Sequence, residues 1–523
     1  MMFAMAEATT LAAAKRGVFQ RLLDAIEWVG NALPNPATLF ALLAGVVVLL
    51  SGLLHAMGVQ VVNPATHETV GVVSLMTVEG LHRMLMKAVT NFSGFAPIGT
   101  VLVAILGIAV AESSGLIGAV LRVTVSKAPP AALTAVIVFA GIMSNVGSDV
   151  GYVLLIPLAG AVFAAVGRHP VAGIAAAFAG VSGGFSANLL PGTVDVLVGG
   201  ITQESARLLV PDYTVLPTAN YYFMFVATFF VTFAGTWITE RIVEPRLQGT
   251  EGGESQQEQV HSLTPLEKRG LGYAGLAAWV MTVFVVWGVL PIGSVVGAGY
   301  LLDPADPAFT ASVFMRGIVV FICLAGIFLG VAYGVGAKTI KSDHDVIAGM
   351  SKSIATMGSY LVLMFFCAQF VNYFAWTNLG TITAVKGAEL LQASGLGAAP
   401  LTVSVIFFTA FINLFIGSAS AKWTLLGPVL VPMFMLVGYS PEFVQAAYRV
   451  GDSCTNIITP LMVYFPLVLT FAQKYAPKTG IGTLISLMMP YSIGFMILWS
   501  LLLVVWIFTG WPLGPGAPMF ITL

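Results

Sequence analysis

The chain has 523 residues, of which 58% are hydrophobic and only 9% are charged, whereas a soluble domain carries about 25% charged residues. A soluble fold of this size could not hide so much apolar surface, so the composition predicts a protein that lies in the lipid bilayer. The formal net charge of −1 excludes a nucleic-acid partner. Cys323, Cys367 and Cys454 show no paired spacing and are interpreted as buried hydrophobes.

The N-terminal segment is predicted to remain on the cytoplasmic face. Glu7 interrupts the first apolar stretch, so no cleavable signal peptide is expected, and the basic residues Lys15, Arg16 and Arg21 follow it. Residues 17–33 are predicted to form an amphipathic helix at the membrane surface.

Nine stretches are long enough to cross the bilayer, which takes roughly 20 apolar residues for about 30 Å of hydrocarbon. They lie near residues 36–56, 96–122, 170–200, 221–239, 271–291, 313–333, 353–375, 441–473 and 483–509.

Two further apolar stretches, 131–166 and 401–437, are interrupted midway by small polar residues. The interruptions are 144–149 and 417–420, and each arm is only about 13–18 residues long, which barely reaches or falls short of a crossing. Both stretches are therefore predicted to be re-entrant helical hairpins, because non-helical backbone at that depth must be covered by protein or line a cavity.

The basic residues support this layout by the positive-inside rule. The predicted cytoplasmic side collects Arg122, Lys127, Arg168, the charged run 240–269, Lys338, Lys341, Lys474 and Lys478. The predicted segments are 1–35 (cytoplasmic), 36–130 (two spans and a periplasmic loop), 131–239 (first repeat), 240–270 (cytoplasmic linker), 271–400 (three spans), 401–473 (second repeat) and 474–523 (last span and a periplasmic C-terminus).

The two hairpin regions match each other as an internal repeat. Pro157 and Pro170 are separated by 13 positions, as are Pro428 and Pro441. Each half then continues into an apolar helix with a polar, Asn-bearing break, at 182–188 and 453–456. The two units would enter the membrane from opposite faces, which is typical of alternating-access transporters. The alternative is chance recurrence of proline and glycine in apolar helices.

The breaks supply candidate cation ligands, because hydroxyl, amide and carbonyl oxygens suit a small hard cation. One predicted site contains Ser144, Asn145, Ser182 and Asn188, and its pseudosymmetric partner contains Ser418, Ser420, Thr455 and Asn456. These side chains could equally cap half-helices and bind nothing. The coupling ion is predicted to be Na⁺ or H⁺, and no other cofactor is expected.

Ionisable residues inside the membrane are functional candidates by default. Arg449 and Asp452 are three positions apart on one helix and could pair, either as a structural pair or with Arg449 recognising a substrate carboxylate. Asp195 is either a site residue or a solvated helix end. Asp149 could simply cap its hairpin arm, and Glu112 is assigned no role. Trp423 could stack on an aromatic ring or simply pack.

The chain resembles the AbgT (p-aminobenzoyl-glutamate) transporter family along its whole length. The resemblance is carried by residues 91–97, 179–188, 416–420, 445–453 and 510–516. It implies an all-α polytopic fold with about nine transmembrane helices and two re-entrant hairpins in inverted repeats, assembled as a homodimer in the bacterial inner membrane. It also implies a secondary transporter, not an enzyme, that imports p-aminobenzoyl-glutamate or exports sulfonamide-type antimetabolites. The positions that it implicates in transport are Asp195, Ser420, Trp423, Pro441, Arg449, Asp452 and Pro460.

Lys422 is a further substrate-binding candidate, either altering substrate preference or snorkelling harmlessly. An enzyme alternative comes from residues 180–184, which fit the Gly-x-Ser-x-Gly pattern around Ser182. That pattern needs a strand–turn–helix context, which is not predicted here, and the six histidines fall at membrane edges or in loops. An intramembrane serine hydrolase is therefore only a remote alternative.

Overall fold

The computed structural model describes residues 34–62, 64, 67–147, 150–247, 263–291, 298–306 and 308–522. The predicted amphipathic helix 17–33, Asp149 at the first hairpin tip and residues 248–262 of the predicted linker lie outside these residues. The described residues are almost entirely helical, and the strands are a short antiparallel pair, β1 (Gln60–Val62) and β2 (Thr69–Gly71).

The helices are numbered here in chain order. They are α1 (Pro36–Ala56), α2 (Val78–Ser93), α3 (Ala96–Ser113), α4 (Leu116–Ser126), α5 (Leu133–Ser144), α6 (Ile156–Ala165), α7 (Pro170–Phe178), α8 (Thr193–Ala206), α9 (Tyr221–Ile238), α10 (Glu244–Leu247), α11 (Pro265–Val289), α12 (Val313–Arg316), α13 (Ile318–Ala337), α14 (Asp343–Thr356), α15 (Gly358–Trp376), α16 (Leu379–Ala393), α17 (Ala398–Asn413), α18 (Ala419–Met435), α19 (Pro441–Asn456), α20 (Phe465–Tyr475) and α21 (Ile481–Thr509). Short 3₁₀ turns cover Pro130–Ala132, Asn145–Gly147 and Phe309–Ala311, and π-helical turns cover Gly151–Leu155, Ala179–Gly183 and Thr239–Val243.

Among the described residues, eight helical stretches are long and apolar enough to cross a membrane. One of them, Pro130–Gly147, is the first arm of the first hairpin. The predicted crossings at 170–200 and 441–473 are instead two helices each, α7 with α8 and α19 with α20, because each is interrupted by non-helical backbone. The all-α polytopic fold with two hairpins is thus confirmed.

The internal repeat is visible in individual contacts between each hairpin and the helix that follows it. A Cβ added at Gly180 would lie 2.4 Å from the Val138 carbonyl oxygen, and one added at Gly451 would lie 2.3 Å from the Ile406 carbonyl oxygen. Gly180 and Gly451 are 271 positions apart, as are Pro170 and Pro441. In both halves, therefore, a glycine lets the first hairpin arm, α5 or α17, approach the backbone of the crossing helix.

Asparagine side chains tie the same elements together. Asn145 Nδ2, just after α5, donates to the Val181 carbonyl at 3.0 Å, and Asn413 Nδ2, at the end of α17, donates to the Asp452 carbonyl at 2.8 Å. Val181 and Asp452 are again 271 positions apart. Each hairpin is thus fastened to its own crossing helix at equivalent positions.

Two local expectations were wrong. The predicted loop 57–95 contains the amphipathic helix α2, whose apolar residues Leu81, Leu85 and Val89 are exposed. In the second repeat the helix continues through Asn456, so the break lies at 457–464 and not at 453–456. The break predicted at 182–188 in the first repeat overlaps the observed one, because the backbone is non-helical at 184–192, after the π-helical turn.

Candidate functional site

The site lies where the interrupted helices of the two repeats meet. Ser182 Oγ, in the π-helical turn that ends α7, donates to Met462 Sδ at 3.3 Å in the second break. The rings of Tyr152 and Tyr464 stack with centroids 4.4 Å apart, which joins the second arm of the first hairpin to the same break. A Cβ added at Gly417 would lie 2.8 Å from the Leu461 carbonyl oxygen, so the second hairpin tip also packs on this break. The breaks of both repeats and the second hairpin tip thus meet in these contacts.

Four buried charged side chains form two ion pairs at this junction. Arg449 Nη1 of the second repeat lies 2.6 Å from Asp195 Oδ1 of the first repeat. Lys422 Nζ forms a close ion pair with Asp452 Oδ1 within the second repeat. Each of the four residues is at most 3% exposed. The predicted pairing of Arg449 with Asp452 was wrong, because both side chains have partners on other helices.

Asp195 holds its position through the backbone. It lies in the first turn of α8, and its Oδ2 accepts a hydrogen bond of 2.7 Å from the Gly192 amide. The other carboxylate oxygen, Oδ1, is then directed at Arg449. Of the two alternatives for Asp195, the structure therefore excludes a solvated helix end and makes it a buried partner of the arginine.

Lys422 does not snorkel to the membrane surface. Its ammonium is fully buried and is enclosed by oxygen atoms: besides Asp452 Oδ1, it donates to Asn413 Oδ1 and, at 3.3 Å, to the Ile416 carbonyl. Asn413 Nδ2 also contacts Thr455 Oγ1 at 2.9 Å and Asn456 Oδ1 at 2.8 Å. Lys422 thus lies in an oxygen-rich pocket beside Thr455 and Asn456 of the second cation site, which stays a prediction.

Asn413 was missed in the sequence analysis. Its signal was available, because it is an amide residue four positions before the predicted hairpin tip at 417–420, in an arm whose other polar residues are serine and threonine. Buried amides in apolar helices must find hydrogen-bond partners, and those partners are the residues of the site.

The first predicted cation cluster forms mainly backbone contacts. Ser144 Oγ donates to the Gly141 carbonyl at 2.7 Å, Asn145 Nδ2 to the Val181 carbonyl, and Asn188 Oδ1 accepts from the Leu190 amide at 3.4 Å. These are helix-capping and hairpin-fastening contacts, and the cation site at these residues stays a prediction. Ser418 and Ser420 lie at the start of α18, with their hydroxyls 3.2 Å apart.

Trp423 is fully buried and packs face to face on Tyr448, with ring centroids 4.2 Å apart. Its Nε1 donates to Thr202 Oγ1 of α8 at 2.9 Å. Thr202 Oγ1 in turn lies 2.6 Å from Gln445 Oε1, and Gln445 Nε2 donates to Asn220 Oδ1 at 2.8 Å. This series is called the Trp423 network below, and it connects both repeats through buried side chains.

The remaining predicted substrate-binding positions, Pro441 and Pro460, lie at the start of α19 and just after its end. Pro441 is the first residue of α19, and Pro460 lies in the break that follows that helix.

Several buried polar atoms at the junction of the repeats have no hydrogen-bond partner in the described part of the chain, among them Arg449 Nε, Thr409 Oγ1 and Ser453 Oγ. Buried polar atoms are normally satisfied, so these atoms are candidate contacts for a polar ligand.

Comparison with known proteins decides the family. The sequence model of the AbgT transporter family matches residues 21–521. The p-aminobenzoyl-glutamate transport protein of Escherichia coli (strain K12) is 37% identical over 496 residues, covering 95% of this chain and 96% of that protein. The chain belongs to the AbgT family. It is accordingly a transporter and a multi-pass protein of the inner membrane, as predicted.

Solved structures of AbgT transporters share the fold. The YdaH transporter of Alcanivorax borkumensis superposes with a TM-score of 0.87 and 46% identity, over 92% of this chain and 100% of that one. MtrF of Neisseria gonorrhoeae, described within a class of antimetabolite efflux pumps, superposes with a TM-score of 0.89 and 46% identity, over 95% and 100% of the two chains.

AbgT membership also removes the hydrolase alternative. Ser182 is fully buried in a π-helical turn, and its hydroxyl donates to the Met462 thioether. A nucleophile elbow requires a strand, a sharp turn and a helix, with a base within hydrogen-bonding reach. The Gly-x-Ser-x-Gly pattern of residues 180–184 serves close packing here, since Gly180 lies against the Val138 backbone.

Proposed function

We propose that this chain is an ion-coupled secondary transporter of p-aminobenzoyl-glutamate and related aromatic antimetabolites, working by alternating access. We further propose a homodimer with a cytoplasmic N-terminus and a periplasmic C-terminus. The substrate is named from the Escherichia coli relative, whose described substrate is p-aminobenzoyl-glutamate. The orientation rests on the positions of the basic residues in the sequence.

One observation carries the proposal: a buried guanidinium with unused donors lies between the two repeats. Arg449 contacts Asp195 through Nη1, while its Nε has no hydrogen-bond partner in the described residues. A guanidinium offers five N–H donors in a planar fork that matches a carboxylate. Arg449 is thus suited to receive a substrate carboxylate while Asp195 keeps it in place.

Alternating access is supported by the way the repeats are joined. Within each repeat the hairpin is fastened to its crossing helix by an asparagine and a close-packed glycine. Between the repeats the polar contacts include the Arg449–Asp195 pair, the hydrogen bonds that join Trp423 and Gln445 to Thr202, and the hydrogen bond from Ser182 to Met462, together with apolar packing. Rigid units that meet at a polar, partly unsatisfied junction can change their relative positions around a bound ligand.

The oxygen pocket around Lys422 supports ion coupling. An ammonium ion and Na⁺ compete for the same kind of site, one lined by carboxylate, amide and carbonyl oxygens. Asp452, Asn413 and the Ile416 carbonyl provide those oxygens, with Thr455 and Asn456 in contact with Asn413. We propose that a transported cation enters this pocket when Lys422 leaves it.

Antimetabolite efflux is the second candidate function. The chain is 46% identical to MtrF, described as an antimetabolite efflux pump, and 37% identical to the p-aminobenzoyl-glutamate transport protein. The higher identity favours efflux, and the same Arg449 site could serve an aromatic drug that lacks a glutamate.

The test is transport by the purified protein in lipid vesicles under imposed Na⁺ or pH gradients. Labelled p-aminobenzoyl-glutamate and a labelled sulfonamide are offered in both directions, for the wild type and for Arg449→Lys. We expect Arg449→Lys to reduce transport of the dicarboxylate by on the order of 10- to 150-fold, because a charge-assisted hydrogen bond contributes about 1.5–3 kcal/mol. The sulfonamide should be much less affected. Equal losses for both substrates would make Arg449 a structural partner of Asp195 and would contradict carboxylate recognition.

A further inference from the structure

Glu442 is a buried carboxyl group that the proposed transport site does not use. It is the second residue of α19, only 4% exposed, and it precedes Arg449 by two helical turns. Its carboxylate accepts hydrogen bonds from the Tyr213 phenol, at 3.1 Å to Oε2 and 3.4 Å to Oε1. No basic side chain in the described part of the chain lies within ion-pair distance of it.

The lack of a basic partner distinguishes the environment of Glu442 from that of the two aspartates of the site. Asp195 and Asp452 each form an ion pair with a buried cationic side chain, Arg449 and Lys422 respectively. Glu442 has neither such a partner nor open water around it. An ionised carboxylate is costly under those conditions, although the amides at the start of α19 partly offset the cost. The surroundings of Glu442 therefore do not strongly favour either its protonated or its ionised form.

The titratable groups near this end of α19 are few. The described elements packed around it contribute Tyr213, Arg207, Glu204 and Asp212 from α8 and the segment after it, and Tyr439 from the preceding turn. Helix α21 also packs on α19, and its titratable side chain, Tyr491, has its hydroxyl 2.6 Å from Thr239 Oγ1. Lys422, Tyr448, Arg449 and Asp452 lie further along, at the transport site. The sequences of α17 and of residues 510–522 contain no titratable side chain.

Tyr213 gives the carboxyl a partner in both protonation states. Tyr213 is half-buried, and its neighbours in sequence, Asp212 and Thr214, are exposed. Burial and the neighbouring carboxylate raise the pKa of Tyr213, so the phenol keeps its own proton. It can donate to an ionised Glu442 or accept from a protonated one.

Glu442 is also connected to the transport site. Asn220 Nδ2 donates to the Glu442 carbonyl at 2.8 Å, and Asn220 is the last member of the Trp423 network. A change at the start of α19 is thus linked along that helix to Arg449 and through side chains to Trp423. These side chains do not carry the proton; they connect its binding to the packing of the site.

We propose that the Glu442 carboxylate is the proton-binding group of this transporter, taking one proton from water near Tyr213 and releasing it once per transport cycle. The inference rests on the proposed function, and it names the residue that would use a pH gradient. The proton adds to a carboxylate oxygen, and on release that oxygen again accepts from the Tyr213 phenol.

The experiment compares the full-length wild type with Glu442→Gln in lipid vesicles that contain a pH-sensitive dye, with labelled p-aminobenzoyl-glutamate as the probe. We expect the wild type to move protons with substrate, and its rate to change by up to about tenfold per pH unit on one side of its profile. Glu442→Gln should lose both the proton movement and the pH dependence, while exchanging internal for external substrate within about threefold of the wild-type rate. Retention of proton movement in Glu442→Gln would overturn the proposal.

The matched control is Glu204→Gln, which neutralises a carboxyl of α8 that pairs with Arg207 at 3.5 Å. It should leave the pH profile unchanged. A substrate-independent readout is the pH-dependent infrared carbonyl band of a protonated carboxyl group. This band should be lost in Glu442→Gln and kept in Glu204→Gln. A wild type that fails to carry the probe would contradict the proposed substrate, whereas an unchanged band in Glu442→Gln would contradict the assignment of the proton.

Discussion

Arg449 of the second repeat lies 2.6 Å from Asp195 of the first, Nη1 to Oδ1, in a region where both side chains are almost fully buried. The two residues come from helices that belong to different repeats. Their ion pair therefore holds the two repeats together in this conformation. Its loss should lower both the stability of the protein and its transport rate.

Asp195→Asn and Arg449→Gln should each destabilise the protein, because each leaves one buried charge without its partner. Breaking a buried pair costs about 3–5 kcal/mol. The double variant should recover part of that loss, since no unpaired charge remains. Thermal unfolding of the purified protein, analysed as a double-mutant cycle, measures the coupling. Additivity within about 0.5 kcal/mol would mean that the two side chains act independently.

Lys422→Gln should make the stability of the protein depend on Na⁺. Removal of the ammonium leaves Asp452 and Asn413 with free oxygens at a site that suits a small cation. A bound ion at 100 times its dissociation constant would add about 2.7 kcal/mol. The melting temperature should therefore rise with Na⁺ against a bulky organic cation in the variant and much less in the wild type. Lys341→Gln, at an exposed position, is the control and should show no such dependence.

Gly180→Ala and Gly451→Ala should destabilise the protein by similar amounts. In each case the new Cβ would lie within 2.4 Å of a backbone carbonyl oxygen on the first hairpin arm. Overpacking of this kind costs about 1–3 kcal/mol. Gly482→Ala meets nothing within 4 Å and is the matched control. Unfolding in denaturant compares the three, and a tolerated Gly451→Ala would contradict the close approach of α17 to α19.

Single cysteines test the orientation in a background without native cysteines. His82→Cys and Asp306→Cys lie in predicted periplasmic segments, and Lys341→Cys lies on the predicted cytoplasmic side; all three positions are exposed. The first two should react with an impermeant thiol reagent on intact cells. The third should react only after permeabilisation, and its labelling from outside would reverse the assigned topology.

Much of the site was predictable, because charged and polar residues are rare in membrane-spanning segments and are therefore easily recognised in the sequence. Asp195, Lys422, Arg449 and Asp452 stand out in apolar segments, and the structure brings all four to one junction. The internal repeat was also predictable, because the two halves have the same spacing between prolines. The structure shows equivalent contacts in the two halves at Gly180 and Gly451.

The pairing of those charges was not predictable in the same way. Spacing along α19 suggests Arg449 with Asp452, because residues three apart on a helix are neighbours. The partners actually chosen, Asp195 and Lys422, come from α8 and α18, and single-helix periodicity carries no information about which helices pack together. Helix α2 is a different case: it lies between the first two predicted spans, where only a periplasmic loop is predicted, although Leu81, Leu85 and Val89 recur at helical spacing.

The two ion pairs of the site have a consequence for energy supply. Asp195, Arg449, Lys422 and Asp452 carry formal charges that sum to zero and remain with the protein throughout. A substrate with two carboxylates that crosses alone would thus carry two negative charges through the membrane voltage, at about 2.3 kcal/mol per charge for each 100 mV. Two accompanying monovalent cations would make the cycle electrically silent, and a third would let the voltage drive it. The current recorded during transport therefore counts the ions that travel with each substrate molecule.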